Sequence, residues 1–341
     1  RVIVDDIRGN GYYGLYLGGT GTLVRNLTVT NVAGSGLYAV GNSMTLDSIL
    51  VSDVADDGVY LGGSNNVVSN LRIENAGAIG FNSGSSGDHL ASASNVRVLG
   101  SGSYGRSGGV GVGASTGFGG ATGRLDYQAS ANDDVIIDRE DAVTIGSGVS
   151  AMAYSITTAI TDRSQSVALA DTTSSLLVMS NITLNQPTGG ENVQLIVDSG
   201  SATVLGNLVL DVPATNNNRC VRVRITTGTL TVGGNLVLNN AGTSSSCGSN
   251  GGFGAAGHMT HIDMSGGAGT LNVAGSVLVG NPANATAALS SHADAVFNYN
   301  GSAAGQTVAA PASTNWVYGN LHFNNTSGAG AILDGALGSS K

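Results

Sequence analysis

Leu27-Thr28-Val29, Ile49-Leu50-Val51 and Leu71-Arg72-Ile73 are three short alternating runs whose first residues lie 22 positions apart, twice over. The same step links Leu15-Tyr16-Leu17 to Leu37-Tyr38-Ala39 and Val59-Tyr60-Leu61, and Val24 to Leu46 and Val68. Gly14, Gly36 and Gly58 keep the same time just ahead of the tyrosine runs. Three short strand signals per 22 residues, with glycine or Asn/Asp at the corners, describe one coil of a parallel β-helix.

The physical basis is specific. Alternation with period two puts every second side chain on one face. A run of three residues is not stable alone. It gains stability when the chain returns to stack an equivalent run on it, about 4.8 Å away. Asn26, Ser48, Asn70 and Asn95 share one equivalent corner position, and Asn31, Asp53 and Asn75 another. Stacked Asn side chains bond along a ladder, and Asn and Gly tolerate left-handed corners.

Composition agrees. Charged residues make up 10% of the 341 residues, against a usual ~25%, while 54 glycines are well over the usual share. With 41% hydrophobic residues in regular alternation, the chain reads as folded rather than as a flexible linker. The net charge is −9 and Lys341 is the sole lysine, so no basic patch is available for nucleic acid. No apolar run approaches 18 residues, which argues against a membrane span. An acidic, lysine-poor surface suits an extracellular or cell-surface protein. Arg1 opens the chain without Met in what reads as mid-coil, so the expectation is a processed or excised piece of something longer.

Residues 1–105 form the regular block, its last coil (Asn95-Val96-Arg97-Val98) displaced to a 25-residue step by an insertion around Ser83 to His89. Residues 106–131 are Gly/Ser-rich and read as a loop or linker, with Val110-Gly111-Val112 as a candidate strand. Residues 132–341 form a second solenoid region with longer coils. There Thr203-Val204-Leu205-Gly206-Asn207-Leu208-Val209-Leu210 returns as Thr231-Val232-Gly233-Gly234-Asn235-Leu236-Val237-Leu238. Weaker copies centre on Ile182, Val277 and Leu321, giving steps of 26, 28, 41 and 44 residues. Insertions from Cys247 to Gly257 and from Pro282 to Asp294 account for the longer two on this reading. No window carries a capped 3.6-residue pattern, so the expectation is all-β: two stacked repeat regions of parallel β-helix.

The first block resembles the right-handed parallel β-helix repeats of pectate-lyase-like proteins. The phrases at 228–238, Tyr299-Asn300-Gly301-Ser302, Gln306-Thr307-Val308 and Tyr318-Gly319-Asn320-Leu321 resemble repeats of large bacterial surface proteins. Such repeats occur in filamentous-haemagglutinin-like and autotransporter-like adhesins. These resemblances imply secretion, an elongated rod and a binding or scaffolding role. They carry no catalytic residues to positions of this chain.

Polysaccharide cleavage is the sharpest enzymatic reading. A glycosidase needs two carboxylates flanking the bond, and Asp53, Asp56 and Asp57 are candidates, with Arg72, Asp88 and His89 nearby in sequence. The competing reading is an ordinary polar turn, since Asp53 belongs to the Asn31/Asn75 position and Asp56-Asp57-Gly58 replaces Gly34-Ser35-Gly36. Arg72 and Arg97 occupy equivalent outward positions, and Glu74 on the same face offers an ion pair. Tyr16, Tyr38 and Tyr60 form a column that could present a glycan platform or simply stack.

Asp133, Asp134, Asp138, Glu140 and Asp141 gather hard oxygen ligands and are candidates to hold Ca²⁺ as a cofactor. His258, His261 and Asp263 offer three metal ligands without a fourth at a recognisable spacing. Cys220 and Cys247 lie 27 residues apart, close to one coil of the second region, and are candidates to stack and pair. The alternative is two free thiols. A bond would point to an oxidising compartment.

The reading is therefore a secreted or cell-surface structural or adhesive β-solenoid, part of a longer rod, filament or matrix. The alternative is a polysaccharide-binding or polysaccharide-cleaving β-helix, a lyase or hydrolase. The chain opens on Val2-Ile3-Val4 and closes near Ala331-Ile332-Leu333 without charged or proline-rich blunting. End-to-end continuation or self-association is expected, with polysaccharide or a host or neighbouring cell surface as the other partner class.

Overall fold

The computed structural model describes residues 2–5, 13–78, 80–82, 90–101, 109–112, 125–128, 134–137, 142–145, 148, 150–153, 155–158, 165–186, 192–212, 220–240, 260–280, 287–309, 316–328 and 331–334. Among them every regular element is a strand, every strand pairing recorded is parallel, and no helix is long and apolar enough to cross a membrane. Contacts divide the chain into two compact units, Arg1–Thr157 and Thr158–Lys341.

In the first unit the 22-residue step is the inter-coil register. Leu27 pairs with Ile49 and Ile49 with Leu71, while Leu71 pairs with Val96 across the displaced 25-residue step. Leu15, Leu37 and Val59 pair in the same way, as do Tyr16, Tyr38 and Tyr60. Each coil contributes one long strand (Leu23–Val32, Thr45–Val54, Asn66–Ala76, Leu90–Ser101) and one short strand (Leu15–Gly18, Leu37–Val40, Val59–Gly62, Phe81–Asn82). Within the Gly/Ser-rich segment, Gly109–Val112 pairs with Asp134–Ile137, and Leu125–Gln128 pairs with the strand Leu90–Ser101.

The long strands are not straight. Asn26, Ser48 and Asn70 sit at φ of 54, 58 and 51°, and Asn31, Asp53 and Asn75 at 54, 54 and 51°. These left-handed residues drop out of the ladder register and turn the chain around the core. Leu27, Val29, Leu46, Ile49, Val51, Leu71 and Ile73 line that core and are no more than 2% exposed.

The glycine column has a different cause from the corners. Gly14, Gly36 and Gly58 are not among the positive-φ residues. Instead, a Cβ on Gly36 would meet Val51 Cγ1 at 2.3 Å and the Gly58 carbonyl oxygen at 2.7 Å, and one on Gly58 would meet the Gly80 oxygen at 2.5 Å. Successive coils approach too closely there for any side chain.

The second unit has three strands per coil. First strands are Gln165–Leu169, Val193–Val197, Val221–Ile225, Thr260–Met264 and Ala287–Ser291; second strands are Ser175–Val178, Ser201–Val204, Thr229–Val232, Thr270–Val273, Val296–Tyr299 and Asn320–Phe323. Third strands are Ile182–Asn185, Leu208–Val212, Leu236–Asn240 and Val277–Val279, while Gln306–Ala309 pairs with Ala331–Asp334. Asn181, Asn207 and Asn235 bridge the coils at the corner before the third strand. Each Oδ1 accepts the backbone N–H of the next coil, from Asn207, Asn235 and Ser276, at 2.7, 2.7 and 2.8 Å.

The repeat assignment near the end of the chain is corrected by the pairing. Ile182, Leu208, Leu236 and Val277 are in register as expected. Leu321, however, pairs with Phe297 in the second-strand column, not with Val277. The 44-residue step conceals an additional coil, Ala287–Ser291, Val296–Tyr299 and Gln306–Ala309, so Ala287–Ser291 is a ladder strand rather than an insertion. Gly319-Asn320-Leu321 repeats the wording of Gly206-Asn207-Leu208, but Asn320 Nδ2 donates to the Ala293 carbonyl instead of taking the corner role.

Leu71 is 1% exposed between Ile49 and Val96. Leu71→Asp buries a carboxylate without a partner and is expected to destabilise the first unit by several kcal/mol. Denaturation followed by far-ultraviolet circular dichroism checks this, and unchanged stability would contradict the register.

Candidate functional site

Alternation in the short strands sends Leu15 and Leu17, Leu37 and Ala39, and Val59 and Leu61 toward the core, leaving Tyr16, Tyr38 and Tyr60 outward. The rings stack along the direction in which the coils repeat. Tyr38 and Tyr60 have centroids 4.5 Å apart with planes 7° from parallel, and Tyr16 and Tyr38 are 5.7 Å and 16° apart. Tyr13, from the preceding corner, lies 4.2 Å from Tyr38. Tyr16 is 57% exposed and Tyr13 39%. The stack spends the π faces on one another, so the column presents ring edges and hydroxyls outward. Burial, then the neighbouring phenols of Tyr60, Tyr13 and Tyr16, push the Tyr38 hydroxyl above its ordinary value.

Two of the acids weighed for glycan cleavage are engaged with a neighbouring coil. Asp53 accepts from Asn75 Nδ2 at 2.9 Å, and Asp56 from Ser35 Oγ at 3.2 Å. Arg72 pairs with Glu74 on the exposed face, and Arg72 and Arg97 are in register. Asp57 also has an interaction partner. Asp88 and His89 lie outside the described residues. So do Asp133, Asp138, Glu140 and Asp141 of the calcium candidates, and nothing is described of the Asp134 side chain.

Asp47 was not singled out by the sequence. It accepts Ser69 Oγ at 2.8 Å and Asn70 Nδ2 at 2.9 Å, with Arg25 Nε at 3.7 Å. The hydrogen bond from Asn70, then that from Ser69, hold its carboxyl below the usual carboxylate range.

The second unit holds a charged cluster on the outer face of its first strands. Gln194, Arg222 and His261 are in register one coil apart, as are Ile196, Arg224 and Asp263. Arg222 donates to Gln194 Oε1 at 2.8 Å and to Asp263 Oδ2 at 3.1 Å. Asp263 also accepts the hydroxyl and N–H of Ser265 at 2.6 and 3.1 Å. Arg224 grips both oxygens of Asp198, which takes a third bond from Thr226. His261 Nε2 lies 3.0 Å from Ser290 Oγ. Arg222 and His261 are 5 and 6% exposed despite their outward positions.

Burial pushes the Arg222 guanidinium down, opposed by the Asp263 charge. Burial acts to raise Asp263, but the Ser265 bonds, His261 and Arg222 outweigh it and leave the carboxyl low. Two arginines and two aspartates balance, so the arrangement works as a clamp across coils. The alternation Val221-Arg222-Val223-Arg224-Ile225 was the available signal.

Of the metal candidates, His258 lies outside the described residues and Asp263 is committed to Arg222. Among the described residues no group of three His, Cys, Asp or Glu converges as a ligand set. Cys220 is fully buried and disulfide-bonded. The chain's only other cysteine is Cys247, which lies outside the described residues.

Two outcomes are expected. Asp263→Ala strands the Arg222 charge and costs about 3 kcal/mol, whereas Arg222→Met with Asp263→Leu restores most of it; chemical denaturation of the three variants decides. The depressed Asp47 carboxyl contributes stability above its ordinary value of 3.8 and loses it as pH falls through the lower folded value. Asp47→Asn should therefore flatten the acid limb of a stability–pH curve, read from melting temperatures, and leave its neutral and alkaline course unchanged in shape.

A family model described as a right handed beta helix region matches residues 3–123. No curated protein and no solved structure matches the chain. The match and the parallel pairing of the described strands together support a right-handed β-helix in the first unit, and the described strands of the second unit build a parallel β-solenoid of their own.

Proposed function

We propose that this chain is a structural and adhesive β-solenoid of a secreted or cell-surface protein, a segment of a longer rod, filament or matrix. The observation that carries the reading is where the outward polar groups go. Asn181, Asn207 and Asn235, then Asn272, Asn298 and Asn324, and the Asp47 and Asp53 ladders all bond to the coil beside them. Side chains used this way tie coils together instead of addressing a reacting bond. The disulfide at Cys220 supports an oxidising compartment. The outward face is the one on which polysaccharide or a neighbouring cell surface would be held.

Beads coated with the chain should be retained under flow on cell or polysaccharide surfaces, and polyuronates incubated with it should release no unsaturated or reducing ends. Cleavage by the native chain that is lost in Asp56→Asn/Asp57→Asn would overturn this reading in favour of a lyase or hydrolase.

A further inference from the structure

We propose that the tyrosine column of the first unit is an oxidative cross-linking site, at which Tyr38 is joined to a tyrosine of an adjacent coil through a dityrosine bond. Three features of the column carry this. Tyr38 touches three other phenols, with centroids 4.2 Å from Tyr13, 5.7 Å from Tyr16 and 4.5 Å from Tyr60. The parallel register fixes Tyr16, Tyr38 and Tyr60 opposite one another on successive coils. Exposed Tyr16 and Tyr13 give an external oxidant its point of attack, and ring contact connects them to Tyr38.

The chemistry balances with hydrogen peroxide and a haem peroxidase as the oxidant. Each of two phenols gives up one electron and its hydroxyl proton, leaving two tyrosyl radicals. The radicals combine by forming a carbon–carbon bond between the ring positions ortho to oxygen. The displaced ring hydrogens return to the oxygens, restoring both hydroxyls. The chain loses two hydrogen atoms in all, and peroxide is reduced to two waters. Two radicals held in ring contact couple ahead of radicals that must meet by diffusion, for the same reason that oriented intramolecular reactions outrun bimolecular ones.

The bond would staple residues 16 and 38, or 38 and 60, across one coil step, restricting the unfolded chain as a disulfide does. The product is a covalent lock on a repeat otherwise held by ladders. Tyr299 and Tyr318 provide an internal comparison. Their hydroxyls are 3.1 Å apart, but Tyr299 is fully buried and the half-buried Tyr318 donates its hydroxyl to the Ala309 carbonyl, so this pair offers an external oxidant no exposed ring comparable to Tyr16.

The test treats the dilute full chain with a haem peroxidase and hydrogen peroxide. The expected product is a monomer with blue dityrosine fluorescence, lighter by two hydrogens, whose peptides link Tyr38 to Tyr60, Tyr16 or Tyr13. Tyr38→Phe keeps the ring but removes the hydroxyl, and should eliminate every Tyr38 linkage and most of the monomer signal, leaving only the Tyr13–Tyr16 contact, at 6.0 Å, to couple. Tyr60→Phe should shift the linkage toward Tyr13 and Tyr16. Circular dichroism confirms that each variant is folded. Dityrosine confined to chain dimers, oxygen addition without coupling, or a monomer signal undiminished by Tyr38→Phe would overturn the proposal.

Discussion

A four-residue strand cannot hold itself together in water, so each coil here depends on the backbone ladder it shares with the coil beside it. Parallel pairing at one fixed register supplies the hydrogen bonds, and the same register stacks equivalent side chains. Leu27, Ile49 and Leu71 meet because their backbones are paired, and Tyr16, Tyr38 and Tyr60 meet for the same reason. The core and the outer surface are thus two readouts of one constraint. A slip of one residue would exchange them.

The constraint also explains where unusual residues are required. Left-handed Asn, Ser and Asp turn the long strands without breaking the coil, and Asn75 bonds back to Asp53 one coil below. Glycines stand where one backbone comes within contact distance of the next. In the second unit the same job falls to the Asn181, Asn207 and Asn235 side chains, whose oxygens replace a missing backbone acceptor at the corner. The Arg222–Asp263 and Arg224–Asp198 pairs extend the principle to charge, satisfying each ion from a neighbouring coil.

The fold was legible because its repeat is nearly uninterrupted between Leu15 and Gly77, where spacing alone gives the register. It became less legible where coils lengthen. Gly319-Asn320-Leu321 looks like a corner-and-strand copy, yet local wording cannot distinguish which of three similar columns a strand joins. The tyrosine column could be read from spacing, which left a glycan platform and simple stacking both open until the ring geometry decided for stacking. Arg222, Gln194 and Asp263 are 28 and 41 residues apart, and unequal coil lengths hide such a cluster from any fixed step. Asp47 escaped notice because its partners, Ser69 and Asn70, are ordinary corner residues until the coils are stacked.

The central claim is that equivalent residues of successive coils pair in parallel and in register. Nuclear Overhauser contacts between backbone protons of a deuterated, selectively labelled chain read this directly. The account predicts contacts linking Leu27 to Ile49 and Ile49 to Leu71, with Asn26, Ser48 and Asn70 outside the ladder. Antiparallel cross-peaks, or a register displaced by one residue along these strands, would contradict it.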